Sequence, residues 1–141
     1  METITNSAQE TKDLGKKTAV NLKGGETLAL TGELGSGKTT FIQGLAEGFG
    51  IKGRIISPTF ILMRKYVASK FDFYHIDFYR LEDGLENEVK NLGVDDTWGK
   101  NDNVVAIEWA EKIENALPQE VIWIRFENLG EDKRKILIEG I

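Results

Sequence analysis

The chain has 141 residues, of which 40% are hydrophobic and 29% charged, and its formal net charge is −5. These values are typical of one soluble domain spanning residues 1–141, and no apolar run approaches the ~20 residues of a membrane helix. The lack of cysteine excludes disulfides, thiolate zinc sites and thiol catalysis, and it fits a cytoplasmic protein. The acidic balance argues against strong autonomous binding to nucleic acid, because proteins that grip phosphate backbones carry a basic face.

The N-terminal segment predicts a short strand followed by a helix. Residues 2–5 alternate as an edge strand does, and Ser7 with Glu10 matches a capping box, in which a hydroxyl and a carboxylate bond free N–H groups at a helix start. Apolar and small residues at helical spacing continue this helix to about Leu22. Residues 23–25 should end it, because they contain two glycines.

The stretch from residue 27 to residue 39 carries the most specific signal. Residues 27–30 predict a buried strand, and residues 32–39 then read Gly-Glu-Leu-Gly-Ser-Gly-Lys-Thr. This is the G-x-x-x-x-G-K-[ST] pattern of a phosphate-binding P-loop between a strand and a helix. Its glycines let backbone N–H groups turn inward around a polyphosphate. Lys38 supplies positive charge for the outer phosphates, and the Thr39 hydroxyl is an oxygen ligand suited to Mg²⁺.

The middle of the chain predicts a helix, an extended segment and a hairpin. Residues 38–49 have the apolar stripe of a helix. Residues 55–60 predict an extended segment, because Pro58 favours an extended conformation in the residue before it. Residues 60–66 and 71–79 predict an antiparallel hairpin, and residues 82–92 predict a weakly patterned helix.

The C-terminal part predicts a central strand and a second hairpin. Residues 104–107 are all apolar and end at Glu108, as in a strand that is buried on both faces. A short helix should follow up to residue 117, and residues 121–126 and 135–139 predict a C-terminal β-hairpin. Strands alternating with helices and then hairpins predict an α/β fold, a three-layer P-loop NTPase-type mixed sheet with helices on both faces.

Two acidic residues, Asp77 and Glu108, follow apolar runs downstream of the P-loop. In P-loop proteins a carboxylate at the end of such a strand anchors Mg²⁺ or polarises the attacking water. Each residue also has a simpler interpretation. Glu108 fits a solvated carboxylate that begins the next helix, and Asp77 fits a turn residue that pairs with Arg80.

Other candidate residues surround these two carboxylates in the sequence. His75 is the only histidine, and we predict a structural role for it, either packing in the sheet or orienting Asp77. Ser57 and Thr59 either sense the outermost phosphate or serve a turn. Trp109 fits the core, or an exposed aromatic that meets nucleotide or partner. ATP is favoured over GTP because no Asn-Lys-x-Asp element occurs in the chain.

Four motifs occur in one order and spacing: GELGSGKTT at 32–40, SPTF at 57–60, HIDFYRL at 75–81 and IEW at 107–109. Together they resemble the bacterial TsaE family, also called YjeE or YdiB, over nearly the whole chain. The resemblance implies a small cytoplasmic ATPase of tRNA threonylcarbamoyladenosine synthesis, weakly active alone. It would act with TsaD and TsaB, which transfer the threonylcarbamoyl group to the adenosine beside the anticodon and hold the tRNA.

The same resemblance implies ATP/ADP and Mg²⁺ as cofactors and assigns residues to them. The residues implied to contact nucleotide are Ser7, Thr11, Glu33, Leu34, Gly35, Ser36, Gly37, Lys38, Thr39, Thr40 and Arg134. Mg²⁺ would be held by Thr39 and Glu108, and hydrolysis or its coupling would be supported by Asp77, Glu108, Thr59 and Trp109. The chain departs from the family pattern at Ala110, where many members have proline, and at residues 82–87, a loose match to an acidic segment.

Two alternatives belong to other functional classes. A small P-loop kinase that phosphorylates a metabolite usually clamps the phosphoryl group with several arginines of a lid. The five arginines of this chain are scattered, and no lid insertion is evident. A nucleotide-gated binding module, in which hydrolysis is incidental, is the other alternative.

Overall fold

A computed structural model describes residues 1–53, 63–79, 89–90 and 93–140 of the chain. Its strands are β1 (Glu2–Thr5), β2 (Thr27–Thr31), β3 (Met63–Val67), β4 (Asp72–Asp77), β5 (Asn103–Glu108), β6 (Ile122–Gly130) and β7 (Lys133–Glu139). Its α-helices are α1 (Ala8–Val20) and α2 (Lys38–Gly48), and two 3-10 helices cover Val94–Asp96 and Ala110–Ala116. The predicted strands and helices within these residues are confirmed, but β6 continues to Gly130, past the predicted end at residue 126, and the short helix before residue 117 is a 3-10 helix.

The strands form one mixed sheet in the order β1-β7-β6-β2-β5-β4-β3. The four inner strands β6, β2, β5 and β4 run parallel, whereas β1, β7 and β3 pair antiparallel with their neighbours. In parallel strands the carboxyl ends meet at one edge of the sheet, which is where ligands bind in open α/β folds. The P-loop after β2 therefore shares an edge with Asp77 and Glu108, which are register partners at the ends of β4 and β5.

Strand β5 divides the core into two layers because its side chains alternate between the faces of the sheet. Val104 and Ala106 belong to the cluster on the face that α1 and α2 cover. Val105 and Ile107 belong to the cluster on the opposite face. The buried residues packed there from outside the sheet include Val89, Val94, Ala110 and Ile113. The three-layer α/β fold is confirmed, and in the described part of the chain 3-10 helices supply much of the second covering layer.

Helices α1 and α2 pack closely because glycines lie at their contact. A Cβ atom at Gly15 would lie 2.2 Å from the Phe41 carbonyl oxygen, and one at Gly44 would lie 2.0 Å from the Lys12 carbonyl oxygen. No side chain larger than hydrogen fits at either position without moving a helix. This contact fixes where α2, which carries Lys38, sits relative to α1.

The predicted capping box at the start of α1 forms only in part. Ser7 Oγ accepts a hydrogen bond from the Glu10 backbone N–H at 3.1 Å, as predicted. The Glu10 carboxylate accepts from the Asn6 N–H at 3.3 Å, one residue before the expected donor. The helix itself ends at Val20, and Leu22 packs into the core just beyond it.

Some predictions fall on residues outside the described ranges. These are the extended segment 55–60, the first residues of the predicted strand 60–66, and the helix 82–92 apart from Val89 and Lys90. Among the helices that are described, none is both long enough and apolar enough to cross a membrane.

Candidate nucleotide-binding site

The P-loop forms a cradle that depends on glycine. Gly32 has φ 149°, and a Cβ atom there would lie 2.7 Å from the Phe126 carbonyl oxygen and 2.8 Å from Ser36 Oγ. Gly37 has φ 101° and precedes α2, so no side chain caps the first N–H groups of that helix. Ser36 Oγ is buried and has no hydrogen-bond partner within the described structure. Backbone donors at a helix start and an unpaired buried hydroxyl fit a bound phosphate.

Lys38 places a buried positive charge beside this cradle. Its side chain is 4% exposed, Nζ donates to the Gly32 carbonyl, and Nζ lies 3.7 Å from the centroid of the Trp109 ring. Burial lowers the pKa of the Lys38 ammonium below its usual value. Three carboxylates oppose this shift: Glu108, Glu111 and Asp77. An anionic phosphate would stabilise this ammonium in the same way.

Thr39 and Glu108 come together although they lie on different elements. Thr39 is in the first turn of α2 and Glu108 ends β5, and the Thr39 hydroxyl donates to Glu108 Oε1 at 3.1 Å. The other carboxylate oxygen, Oε2, lies 2.6 Å from His75 Nε2. A hydroxyl beside a carboxylate is a pair of hard oxygen ligands that fits Mg²⁺. His75 is fully buried in the sheet, as predicted, and this contact joins it to Glu108.

Asp77 lies at the same edge of the sheet and has a local role as well. Its side chain is 9% exposed, and Oδ1 accepts a hydrogen bond from the Tyr79 N–H at 2.9 Å. This bond agrees with the interpretation of Asp77 as a turn residue, and its predicted pairing with Arg80 falls outside the described residues. Among the residues that the structure describes, no three His, Cys, Asp or Glu side chains gather to hold a metal. A Mg²⁺ ion at Thr39 and Glu108 would therefore need ligands from a nucleotide or water, as Mg²⁺ commonly has.

Trp109 borders the site and also packs against the core cluster on the face opposite α1 and α2. It has φ 60°, which is unusual for a bulky residue and carries a strain of about 1–3 kcal/mol. Its half-buried ring covers Lys38 Nζ and lies 5.4 Å from the Tyr79 ring, at an interplanar angle of 36°. The strained backbone thus brings an aromatic ring over the lysine of the P-loop.

Two residues far away in sequence flank the P-loop. A Cβ atom at Gly37 would lie 3.5 Å from Thr11 Cγ2 and 3.6 Å from Arg134 Cγ. The Arg134 guanidinium donates through Nη2 to the Gly35 carbonyl at 3.0 Å and through Nη1 to Asn128 Oδ1 at 3.0 Å. Arg134 therefore holds the loop through its backbone, and Thr11 packs beside it.

The other residues predicted to contact nucleotide or support hydrolysis lie at the helix starts, on the exposed part of the loop, or outside the described residues. Ser7 caps α1 with its hydroxyl, and Thr40 is half-buried in the first turn of α2. Glu33, Leu34 and Gly35 are exposed on the loop, and Leu34 is 70% exposed. Thr59 lies outside the described residues.

The sequence interpretation missed two charged residues at the site, Glu111 and Lys112. Glu111 Oε2 accepts a hydrogen bond from the Thr31 hydroxyl at 2.7 Å, just before the P-loop. Lys112 Nζ donates to the carbonyls of Phe78 and Tyr79 at 3.2 and 3.0 Å. Both follow the I-E-W motif directly, so the first turn after the tip of β5 was the signal that could have identified them.

A glycine cradle between the end of an inner parallel strand and a helix, with its lysine and threonine in place, defines a P-loop nucleotide-binding protein. The family model for "Threonylcarbamoyl adenosine biosynthesis protein TsaE" matches residues 5–136. The chain therefore belongs to the TsaE family, as the motifs indicated.

Individual relatives agree with this assignment over most of their length. The TsaE protein of Bacillus subtilis is 41% identical over 137 residues, which are 97% of this chain and 84% of that protein. The TsaE protein of Rickettsia felis is 40% identical over 132 residues, or 93% of this chain and 75% of that protein. The crystal structure of Bacillus subtilis YdiB superposes with a TM-score of 0.78 at 38% identity, covering 98% of this chain and 83% of that one.

Proposed function

We propose that the protein is a Mg²⁺-dependent ATPase that works with TsaD and TsaB in modifying tRNA with threonylcarbamoyladenosine. Membership of the TsaE family supports a role in threonylcarbamoyladenosine synthesis. The observation that carries the ATPase activity is the buried Lys38 beside the glycine cradle, with the Thr39–Glu108 pair in the next turn.

The binding of the triphosphate is supported by the charge balance of the site. Lys38, the N–H groups at the start of α2 and the unpaired Ser36 hydroxyl all favour negative charge at the same place. The Lys38 bond to the Gly32 carbonyl would be exchanged for bonds to the outer phosphates. The bond to the carbonyl joins a charge to a dipole, whereas the bonds to phosphate join two opposite charges, so phosphate should win this exchange.

Mg²⁺ would be held by Thr39 and Glu108 together with the phosphates, and when bound it neutralises charge on the phosphoryl oxygens. We assign the orientation of the attacking water to Asp77, because it ends the strand beside Glu108 at the same edge of the sheet, and Glu108 would be occupied by the metal. Trp109 would cover the reacting end of the nucleotide and limit access of bulk water.

The need for partners is supported by charge and by family. The net charge of −5 and the lack of a long basic cluster make direct tRNA binding by this chain unfavourable. The tRNA would then be held by TsaD and TsaB, and ATP hydrolysis here would reset that assembly between turnovers.

The proposal is tested by measuring phosphate release from ATP in four mixtures: the protein alone, with TsaD, with TsaB, and with both. We expect slow release from the protein alone and a clear increase only when both partners are present. A Lys38→Met variant in the complete mixture should remove the increase. Fast release without partners, or transfer of the phosphate to a metabolite acceptor, would contradict the assembly role.

A further inference from the structure

The Glu108 carboxylate is held from both sides by residues of two other elements. Its side chain is 3% exposed, and its two oxygens contact the Thr39 hydroxyl at 3.1 Å and His75 Nε2 at 2.6 Å. A carboxylate is planar, so fixing one oxygen fixes the direction of the other. The contact with His75 therefore determines where Glu108 Oε1 points.

The His75 ring has one polar atom with a partner and one without. Nε2 contacts Glu108, whereas Nδ1 is buried and has no hydrogen-bond partner in the described structure. A proton on Nδ1 would bury a donor with no acceptor, which is unfavourable. The 2.6 Å contact of Nε2 with a carboxylate oxygen, which accepts hydrogen bonds, places the proton on Nε2 and makes His75 a donor to Glu108.

The position of His75 in the sheet leaves the ring little freedom to move. His75 is fully buried on the inner strand β4, and its register partner on β5 is Ala106, two residues before Glu108. A ring enclosed in this way keeps a fixed orientation, because core side chains pack at crystal-like density. The sheet therefore holds the His75 ring in a fixed orientation toward the Glu108 carboxylate at its edge.

We propose that His75 is a positioning residue, which donates from Nε2 to Glu108 Oε2 and so aims Glu108 Oε1 at Thr39 and the proposed Mg²⁺ site. This inference rests on the proposed function for its consequence, whereas the hydrogen bond itself joins two residues of this chain. Residues that orient a metal ligand from behind typically contribute 10- to 100-fold in metal affinity or activity.

The hydrogen bond is tested in the free protein by ¹⁵N NMR, which is selective because His75 is the only histidine of the chain. Protein labelled with ¹⁵N-histidine should give one pair of ring signals, in which Nε2 carries a proton. A ring without a proton on Nε2 would overturn the proposal. This result does not depend on ATP, Mg²⁺ or partners, so it separates failure of this inference from failure of the proposed function.

The positioning role is tested with His75→Gln and His75→Asn. The Gln amide nitrogen reaches as far from Cβ as the ring Nε2, whereas the Asn nitrogen falls one bond short. The affinity of each variant for a fluorescent ATP analogue is measured at a series of Mg²⁺ concentrations. The readout is the Mg²⁺ concentration at which half of the full increase in affinity is reached. We expect His75→Asn to raise this Mg²⁺ concentration about 10- to 100-fold and His75→Gln to raise it only slightly. In EDTA, which removes free Mg²⁺, both variants should bind the analogue as the unchanged protein does.

Phe73→Leu is the matched control, because Phe73 is a fully buried residue on the same face of β4 with its ring in the apolar core. It should lower the melting temperature without moving the Mg²⁺ midpoint. An equal shift of that midpoint in Gln and Asn, or a similar shift in Phe73→Leu, would overturn the positioning role and leave only a packing role for His75.

Discussion

Replacing Lys38 with methionine should weaken nucleotide binding strongly while changing the stability of the fold little. Methionine keeps most of the apolar stem but removes an ammonium that is 4% exposed and bonded to the Gly32 carbonyl. In the nucleotide complex the same ammonium would make charge-assisted bonds to phosphate, each worth about 1.5–3 kcal/mol. The loss of one such bond weakens binding roughly 10- to 150-fold.

The stability of the variant follows from two opposing effects. Removing a buried charge relieves the desolvation that lowers the pKa of Lys38, but it also removes the attraction between this ammonium and the carboxylates of Glu108 and Asp77. Because these effects oppose each other, we expect a free energy of unfolding within about 1 kcal/mol of that of the unchanged protein. Affinity should therefore fall far more than stability.

The assay is a titration with a fluorescent ATP analogue, together with urea unfolding of the same samples. Lys12→Met is the control, because Lys12 pairs with Glu47 near the other end of α2 at 3.2 Å. It should bind nucleotide normally, since exposed ion pairs contribute about 1 kcal/mol or less to stability. Normal binding by Lys38→Met would refute the assignment of the site, and unfolding of the variant would refute the stability argument.

Four further predictions follow from the same contacts. Gly44→Ala should destabilise the protein by about 1–3 kcal/mol in urea unfolding, because its Cβ would lie 2.0 Å from the Lys12 carbonyl oxygen. Gly32→Ala should weaken nucleotide binding about tenfold or more in a fluorescence titration, since its Cβ would displace Ser36. Arg134→Lys should weaken binding about fivefold in the same titration, because an ammonium cannot replace the two-armed hold on the Gly35 carbonyl and Asn128. Nucleotide affinity should begin to fall at a pH below 10.5, because the lowered pKa of Lys38 lets its ammonium deprotonate there, which a pH series of titrations would detect. Unchanged behaviour of any of the three variants would contradict the corresponding contact, and an affinity that stays constant up to pH 10.5 would contradict the lowered pKa of Lys38.

The local pattern of the sequence was sufficient to predict the core of the site. The P-loop residues are neighbours in the chain, so their spacing alone determines that Lys38 and Thr39 open a helix after the cradle. Asp77 and Glu108 were predictable for a different reason. Each follows an apolar run, and parallel strands bring such ends to one edge.

Contacts between distant segments were not predictable in this way. The His75–Glu108 bond spans 33 residues and depends on the register of β4 against β5, which hydrophobic pattern alone does not specify. The Arg134 bond to Gly35 spans 99 residues and depends on the strand order that brings β7 near the P-loop. The sequence likewise does not predict the positive φ of Trp109, because bulky aromatic residues rarely adopt this conformation.

A crystal structure with a nonhydrolysable ATP analogue and Mg²⁺ would be the most direct measurement of how this site works. We expect that Lys38 Nζ leaves the Gly32 carbonyl for the outer phosphates, and that Thr39 and Glu108 lie at the metal. An analogue bound away from residues 32–39, or a complex in which Lys38 keeps its present bond, would contradict it.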